Sequence, residues 1–154
     1  MSPQRIASTV RREVPQLRDD EPLRDAVAKL TECDVPALPV VDARGKLLGI
    51  FGEREFIAAL FPGYLTTLGY AGFIPSSLDH ALEKRATCVD EPVGKHMNTD
   101  HIDVGEDFSD TELAEIFLHH RVLIVPIVDA GRVAGIVTRE AFSRALAEHL
   151  VAPP

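Results

Sequence analysis

Leu38-Pro39-Val40-Val41-Asp42-Ala43-Arg44-Gly45-Lys46-Leu47-Leu48-Gly49-Ile50-Phe51 returns later in the chain as Val125-Pro126-Ile127-Val128-Asp129-Ala130-Gly131-Arg132-Val133-Ala134-Gly135-Ile136-Val137. One deletion in the second stretch brings Pro, Val, Asp, Ala, Gly, Gly and Ile into coincidence. In both, a short apolar run ends at an Asp-Ala-(Arg)-Gly turn signal and a second apolar run follows, which is the pattern of a β-hairpin. Asp bonds its own backbone in such a turn, and Gly takes positive φ without strain.

The register continues on both sides of the hairpins. Asp20 meets Asp107, Val35 meets Val122, Phe56 meets Phe142 and Leu60 meets Leu146. Before the first hairpin, Leu23, Ala26, Val27 and Leu30 have helical spacing; before the second, Leu113, Ile116 and Phe117 do the same. Pro22 suits a first helical turn, and Ser109 or Asp107 can cap the second helix. A further helix follows each hairpin, through Phe56–Leu60 and through Ala141–Leu146. Each unit reads strand–helix–strand–strand–helix, so the fold class is α/β (α+β) with two βαββα repeats. A unit of about 50 residues is near the size at which one core barely suffices. Two copies that share apolar faces account for the duplication on physical grounds.

Composition bounds the function. The 154 residues are 45% hydrophobic and 26% charged, an ordinary globular balance. A net charge of −8 repels a phosphate backbone and argues against broad nucleic-acid binding. No run of eighteen apolar residues marks a membrane span, and Met1-Ser2-Pro3-Gln4-Arg5 lacks the apolar stretch of a signal peptide. Cys33 and Cys88 form no metal-type cluster and read as idle thiols in a reducing cytoplasm, the expected location.

The run Leu-Pro-Val-Val-Asp-x-x-Gly-x-Leu-x-Gly-Ile, with a polar residue and a helix after it, resembles the core of a cystathionine-β-synthase-type (CBS) domain. The second copy is closer to that pattern, through Gly135-Ile136-Val137-Thr138-Arg139-Glu140, and Val93-Gly94-Lys95-His96-Met97-Asn98 resembles the family's lead-in segment. In the first copy Val10 stands where Met97 does. The resemblance sets expected boundaries at 5–60 and 92–150, separated by an insertion at 61–91. It implies pseudo-two-fold symmetry, a homodimer, and an adenosine-containing ligand (AMP, ADP, ATP or S-adenosylmethionine) in clefts between the repeats. No catalytic activity, cofactor or metal is expected. An unidentified protein partner is compatible with a regulatory module; nucleic acid and membrane are not expected as partners.

The resemblance also implies site residues. In the family, a Thr or Ser after the second hairpin strand meets phosphate or ribose, and an Asp three positions later accepts from the ribose hydroxyls. The second copy supplies Thr138 and Arg139 but has Ala141 at the acid's place; the first supplies Glu55, with Arg54 before it, but has Gly52 in place of Thr. Residues i and i+3 share a helix face, and the free N–H groups of a helix start favour an anion. The second-copy cleft is the first choice for phosphate, through Thr138 and the guanidinium of Arg139. The adenine would lie near Asn98, Thr99, Ile102, Ile124 and Pro126 in one copy and Val14, Ala37 and Pro39 in the other, the apolar members serving the core as well.

The insertion carries Phe61, Tyr64, Leu68, Tyr70, Phe73 and Ile74, too many apolar groups to leave in water, and a short helix is expected near Leu78–Arg85. It reads as a lid or interface, or as a surface excursion. His119 and His120 are adjacent and point to different helix faces, and His80, His96, His101 and His149 show no metal spacing. Asp19-Asp20-Glu21 and Glu106-Asp107 sit just before helices, where negative charge suits the dipole. Two functions remain open: a regulatory sensor of an adenosine compound, and a ligand-free dimerisation or docking module. A small enzyme lacks any convergent constellation.

Overall fold

The two apolar runs of each hairpin become neighbouring strands of a three-stranded sheet, with the first run at its centre. The structure, a computed structural model, describes residues 6–61 and 85–151. In chain order its elements are α1 (Ile6–Val10), β1 (Leu17–Arg18), α2 (Leu23–Cys33), β2 (Ala37–Val41), β3 (Leu47–Gly52) and α3 (Glu53–Leu60). Two 3-10 turns follow (Ala86–Asp90 and Val93–Lys95), then β4 (Val104–Gly105), α4 (Asp110–His119), β5 (Ile124–Asp129), β6 (Arg132–Thr138) and α5 (Arg139–Val151). The two sheets run β1-β2-β3 and β4-β5-β6.

The repeats match residue for residue. Leu17 pairs in parallel with Val40, as Val104 does with Ile127. Pro39 pairs antiparallel with Ile50, as Pro126 does with Ile136; Val40 meets Gly49, as Ile127 meets Gly135. Even the register shift falls at the same step, Val40/Val41 and Ile127/Val128. The expected βαββα order is therefore present twice.

Helix starts follow local chemistry. Ser109 is the N-cap of α4, and its hydroxyl accepts from the Glu112 N–H at 3.0 Å. Pro22 stands one position earlier than expected, at the N-cap of α2, where its carbonyl accepts from the Asp25 N–H at 3.0 Å. Helix α1 was not expected. Its Ile6 and Ala7 N–H groups donate to the Asp110 carboxylate at 2.7 and 2.9 Å. The cap comes from α4 of the other repeat, so no local signal announces it.

The lead-in segments exchange places. Arg12 pairs with Ile136 of the second hairpin, donating and accepting at 2.9 Å, while Asn98 pairs with Ile50 of the first at 2.8 and 3.0 Å. The repeated Gly49 and Gly135 make room for this crossing. A Cβ on Gly49 would lie 2.6 Å from the Asn98 carbonyl oxygen, and one on Gly135 would lie 3.1 Å from that of Arg12. The cores follow the exchange. Leu17, Leu23, Leu38, Phe51 and Val93 share one cluster with Ile124 and Ile136; Ala7 joins Val104, Leu113, Val125, Val137 and Phe142 in the other. Each fully buried aliphatic or aromatic side chain contributes about 1.5–3 kcal/mol, so neither repeat closes its core without residues of the other. Of the insertion, Phe61 closes α3; of the helix expected near Leu78–Arg85 only Arg85 is described, and residues 78–84, with Tyr64, Leu68, Tyr70, Phe73 and Ile74, lie outside the described residues.

Candidate functional site

The starts of α3 and α5 define the first cleft. Each helix begins where the last hairpin strand ends, fixed by equivalent bonds: the Glu53 N–H donates to the Pro36 carbonyl at 3.0 Å and the Arg139 N–H to that of Leu123 at 2.9 Å. The opening between them has about 560 Å³ and is lined by Asp34, Val35, Pro36, Glu53, Leu123, Arg139, Glu140 and Ser143. Three carboxylates here surround one guanidinium. That balance suits a cation or a self-paired surface better than a phosphate.

The second cleft, about 460 Å³, runs between the lead-in of the first repeat and β6 of the second. Arg11, Glu13, Val14, Gln16, Val133, Ala134 and Gly135 line it. The Arg11 guanidinium grips Glu106 with two bonds of 2.7 and 2.8 Å and also donates to the Ala134 carbonyl at 3.1 Å. The bond to Glu106 holds its pKa above the ordinary arginine value, so the charge there is permanent. Gln16 donates to the Val133 carbonyl at 3.3 Å. The walls thus come from both repeats, with apolar side chains, a fixed cation and backbone polar groups together.

The sequence candidates divide between these clefts and the core. Arg139 is exposed in the first cleft and Val14 lines the second. Thr138 accepts from the Ala141 N–H at 3.1 Å, capping α5, and keeps its own proton to donate. Glu55 reaches back to the Gly52 N–H at 2.9 Å through Oε1, capping α3, and keeps Oε2. Arg54 and Thr99 are exposed. Asn98 lies over the first hairpin rather than with Ile124 and Pro126 of its own repeat, because of the strand exchange, and its side chain accepts from the Asp100 N–H at 2.8 Å. Ile102 packs on the second core. Ala37, Pro39, Ile124 and Pro126 are buried in their strands. Arg11, Glu13 and Gln16 were not anticipated. The signal lies one residue away, since the strand exchange sets Arg12, the neighbour of Arg11, in the place that Asn98, a sequence candidate, takes in the other repeat.

A cluster of polar groups around Glu91 serves the fold. Glu91 binds Lys95, Arg85 and His96 at 2.6, 3.1 and 3.3 Å. The Lys95 bond leads in holding its carboxyl below the usual glutamate range. Burial pushes the Cys88 thiol up, away from reactivity. Among the described residues no group of His, Cys, Asp and Glu is placed to hold a metal ion, and no helix is long and apolar enough to cross a membrane.

The model of the CBS domain family matches residues 6–62 and again 93–148. An A-adding tRNA nucleotidyltransferase of Aquifex aeolicus (strain VF5) is 25% identical over 136 residues, and the chain spans 13% of that protein's length. A crystal structure of a CBS-domain-containing protein from Agrobacterium tumefaciens superposes with a TM-score of 0.68 at 23% identity, covering 92% of this chain and 90% of that one. A crystal structure of CBSX2 in complex with AMP superposes with a TM-score of 0.69 at 21% identity, covering 96% and 99%. At such identities the solved structures share the fold.

Proposed function

Because the chain belongs to the CBS-domain family, whose pattern both of its repeats match, we propose that it is a regulatory module that binds an adenosine-containing ligand between the repeats and works as a homodimer in the cytoplasm. The observation that carries this reading is the second cleft, walled by the lead-in of one repeat and the last strand of the other. A ligand there touches both halves at once. It shifts their relative position only by as much as it prefers one arrangement over another, which is what a sensor needs. The AMP complex of CBSX2, which has the same fold, supports an adenosine compound as the first class to test. Val14, Val133 and Ala134 offer apolar surface for the base, and Arg11 offers charge at the rim. The module regulates rather than catalyses.

Thermal unfolding with AMP, ADP, ATP and S-adenosylmethionine tests the proposal. At about 100 times its dissociation constant a ligand adds roughly 2.7 kcal/mol, a rise of several degrees in Tm for a chain of this length. Val14→Glu, with a carboxylate placed where the base would lie, loses that rise while keeping the circular dichroism of the parent. Unchanged melting with all four compounds at millimolar concentration rejects the sensor. The ligand-free docking module then takes its place. That second reading is favoured by the three carboxylates around Arg139 and by the capping bonds of Thr138 and Glu55.

A further inference from the structure

Arg11 brings a cation to the second cleft, but its guanidinium is already engaged. Nη1 donates to Oε2 of Glu106 at 2.7 Å and Nη2 to Oε1 at 2.8 Å, a bidentate pair that fills the end of the fork. Nη2 donates again to the Ala134 carbonyl oxygen at 3.1 Å. The guanidinium's two other N–H groups, on Nε and Nη1, point to different sides of it and offer no parallel pair of donors to a phosphate. Backbone packing holds the arginine in this place, since a Cβ added to Gly135 would stand 3.4 Å from the Arg11 Cγ. Glu106 reaches Arg11 from the turn after β4, across the boundary between the repeats. Its carboxylate sits where an anionic group of a ligand would sit.

The rim carries a further negative charge. Glu13 lines the same wall, and its charge acts on the Arg11 guanidinium beside that of Glu106. Two carboxylates against one guanidinium leave an excess negative charge at the mouth of the cleft. The first cleft has the same bias, with Asp34, Glu53 and Glu140 around Arg139. The apolar wall of Val14, Val133 and Ala134 is indifferent to what the base carries at its far end.

We infer that Glu106 is a specificity-determining residue of the second cleft: by occupying Arg11 it turns phosphate away, so the cleft takes an adenosine compound whose 5′ substituent is uncharged or positive. The inference rests on the adenosine sensor proposed above and narrows its ligand. A phosphate entering the cleft must either break the Arg11–Glu106 pair or stand beside two carboxylates without a fork of its own. Adenosine, or the sulfonium of S-adenosylmethionine, meets neither obstacle. Such a repulsive element sets preference among ligands that share the same base.

Isothermal titration calorimetry of the full chain with adenosine, S-adenosylmethionine, AMP and ATP tests it, on the parent and on Glu106→Gln. The parent should bind adenosine or S-adenosylmethionine about tenfold or more tighter than ATP. Glu106→Gln keeps the shape of the side chain and removes its charge. It should raise the affinity for AMP about tenfold and leave that for adenosine within about threefold. Adding Arg11→Gln should cancel the gain for AMP. Salt gives a reading that needs no variant. As the Debye length falls from about 30 Å to about 8 Å between about 0.01 and 0.15 M salt, AMP should bind the parent more tightly while adenosine is unmoved. AMP binding that weakens with salt, AMP bound as tightly as adenosine by the parent, or a Glu106→Gln variant with an unmoved preference overturns the role of Glu106 and leaves the sensor standing. No heat of binding from any of the four compounds overturns the sensor itself, and the inference with it.

Discussion

The first repeat turns its hairpin through Asp42–Lys46, with Gly45 at φ 84° and the Asp42 carboxylate accepting from the Arg44 and Lys46 N–H groups at 2.8 and 3.0 Å. The second turns through Ala130 and Gly131 alone, between paired Asp129 and Arg132, with both residues at positive φ, 52° and 82°. One deletion separates the two sequences. It replaces a turn held by side-chain hydrogen bonds with a two-residue turn whose twist suits the strands but whose first position suits glycine. The helix starts differ in the same spirit. A Ser/Thr-x-x-Glu capping box needs a hydroxyl at one end and a carboxylate at the other. The first repeat keeps only Glu55, the second only Thr138, and each half satisfies its own helix. Long-range exchange fixes the architecture of both repeats, so the local solutions are free to diverge.

Exchanging the two N-cap residues probes that freedom most severely. A Cβ on Gly52 would lie 2.2 Å from the Pro36 carbonyl oxygen and 2.6 Å from the Ala37 Cβ, so no side chain enters without moving strand backbone. Gly52→Thr, which would complete the capping box and restore the family's hydroxyl, should instead destabilise the chain by the upper part of about 1–3 kcal/mol. The reverse change, Thr138→Gly, removes one cap and should cost only a few tenths, about 0.3 kcal/mol. Urea unfolding of the two variants measures both. Equal losses would mean that the repeats share one backbone at this point after all.

A change of opposite sign in the two hairpins is the next sharpening. Ala130 sits in the left-handed region, which costs a non-glycine residue about 1–2 kcal/mol. Ala130→Gly recovers that amount less the extra chain entropy of glycine, for a net gain of about 0.5–1 kcal/mol. Ala43, its counterpart in the first turn, is not among the positive-φ residues. Ala43→Gly therefore brings only the entropy loss and should lower stability by about 0.5–1 kcal/mol. Urea midpoints that move in the same direction for both variants would contradict the contrast.

What was legible in the sequence was local. The hairpins, the helices around Leu23 and Leu113 and the hydroxyl of Ser109 are written within a few residues of where they act. The exchange of lead-in segments is not. Gly49 and Gly135 read as matching letters, and the reason for them is the backbone of Asn98 and Arg12 lying on top. Helix α1 escaped for the same reason, since its N–H groups end on Asp110. The candidate site shows the same division. Val14 was found, but it was grouped with its own hairpin, whereas the cleft it lines is completed by Val133–Gly135 of the other repeat. Ala37, Pro39, Ile124 and Pro126 were named for a ligand and also read as core, and burial is where the fold puts them.

The smallest effect expected is one of pH, confined to the first turn. Hydrogen bonds from the Lys46 and then the Arg44 backbone, helped by the charges of those two side chains, hold the Asp42 carboxyl below the ordinary aspartate range. A group whose pKa is depressed on folding contributes its stability above the unfolded pKa, and the contribution disappears as pH falls through the folded value. Asp42 therefore steadies the first hairpin at neutral pH, and that support fades below about pH 4 as the unfolded chain takes up a proton more readily than the folded one. Asp42→Asn keeps an oxygen to accept from the same N–H groups but cannot titrate. Parent and variant should differ by a constant amount in urea midpoint from neutral pH down to the ordinary aspartate range. The difference should then narrow as the pH drops further, while the exposed position of the turn keeps it small throughout. A gap that stays constant to the lowest pH at which both unfold reversibly would show that the charge of Asp42 adds nothing to the turn, and that its two acceptor bonds alone set the first hairpin apart from the second.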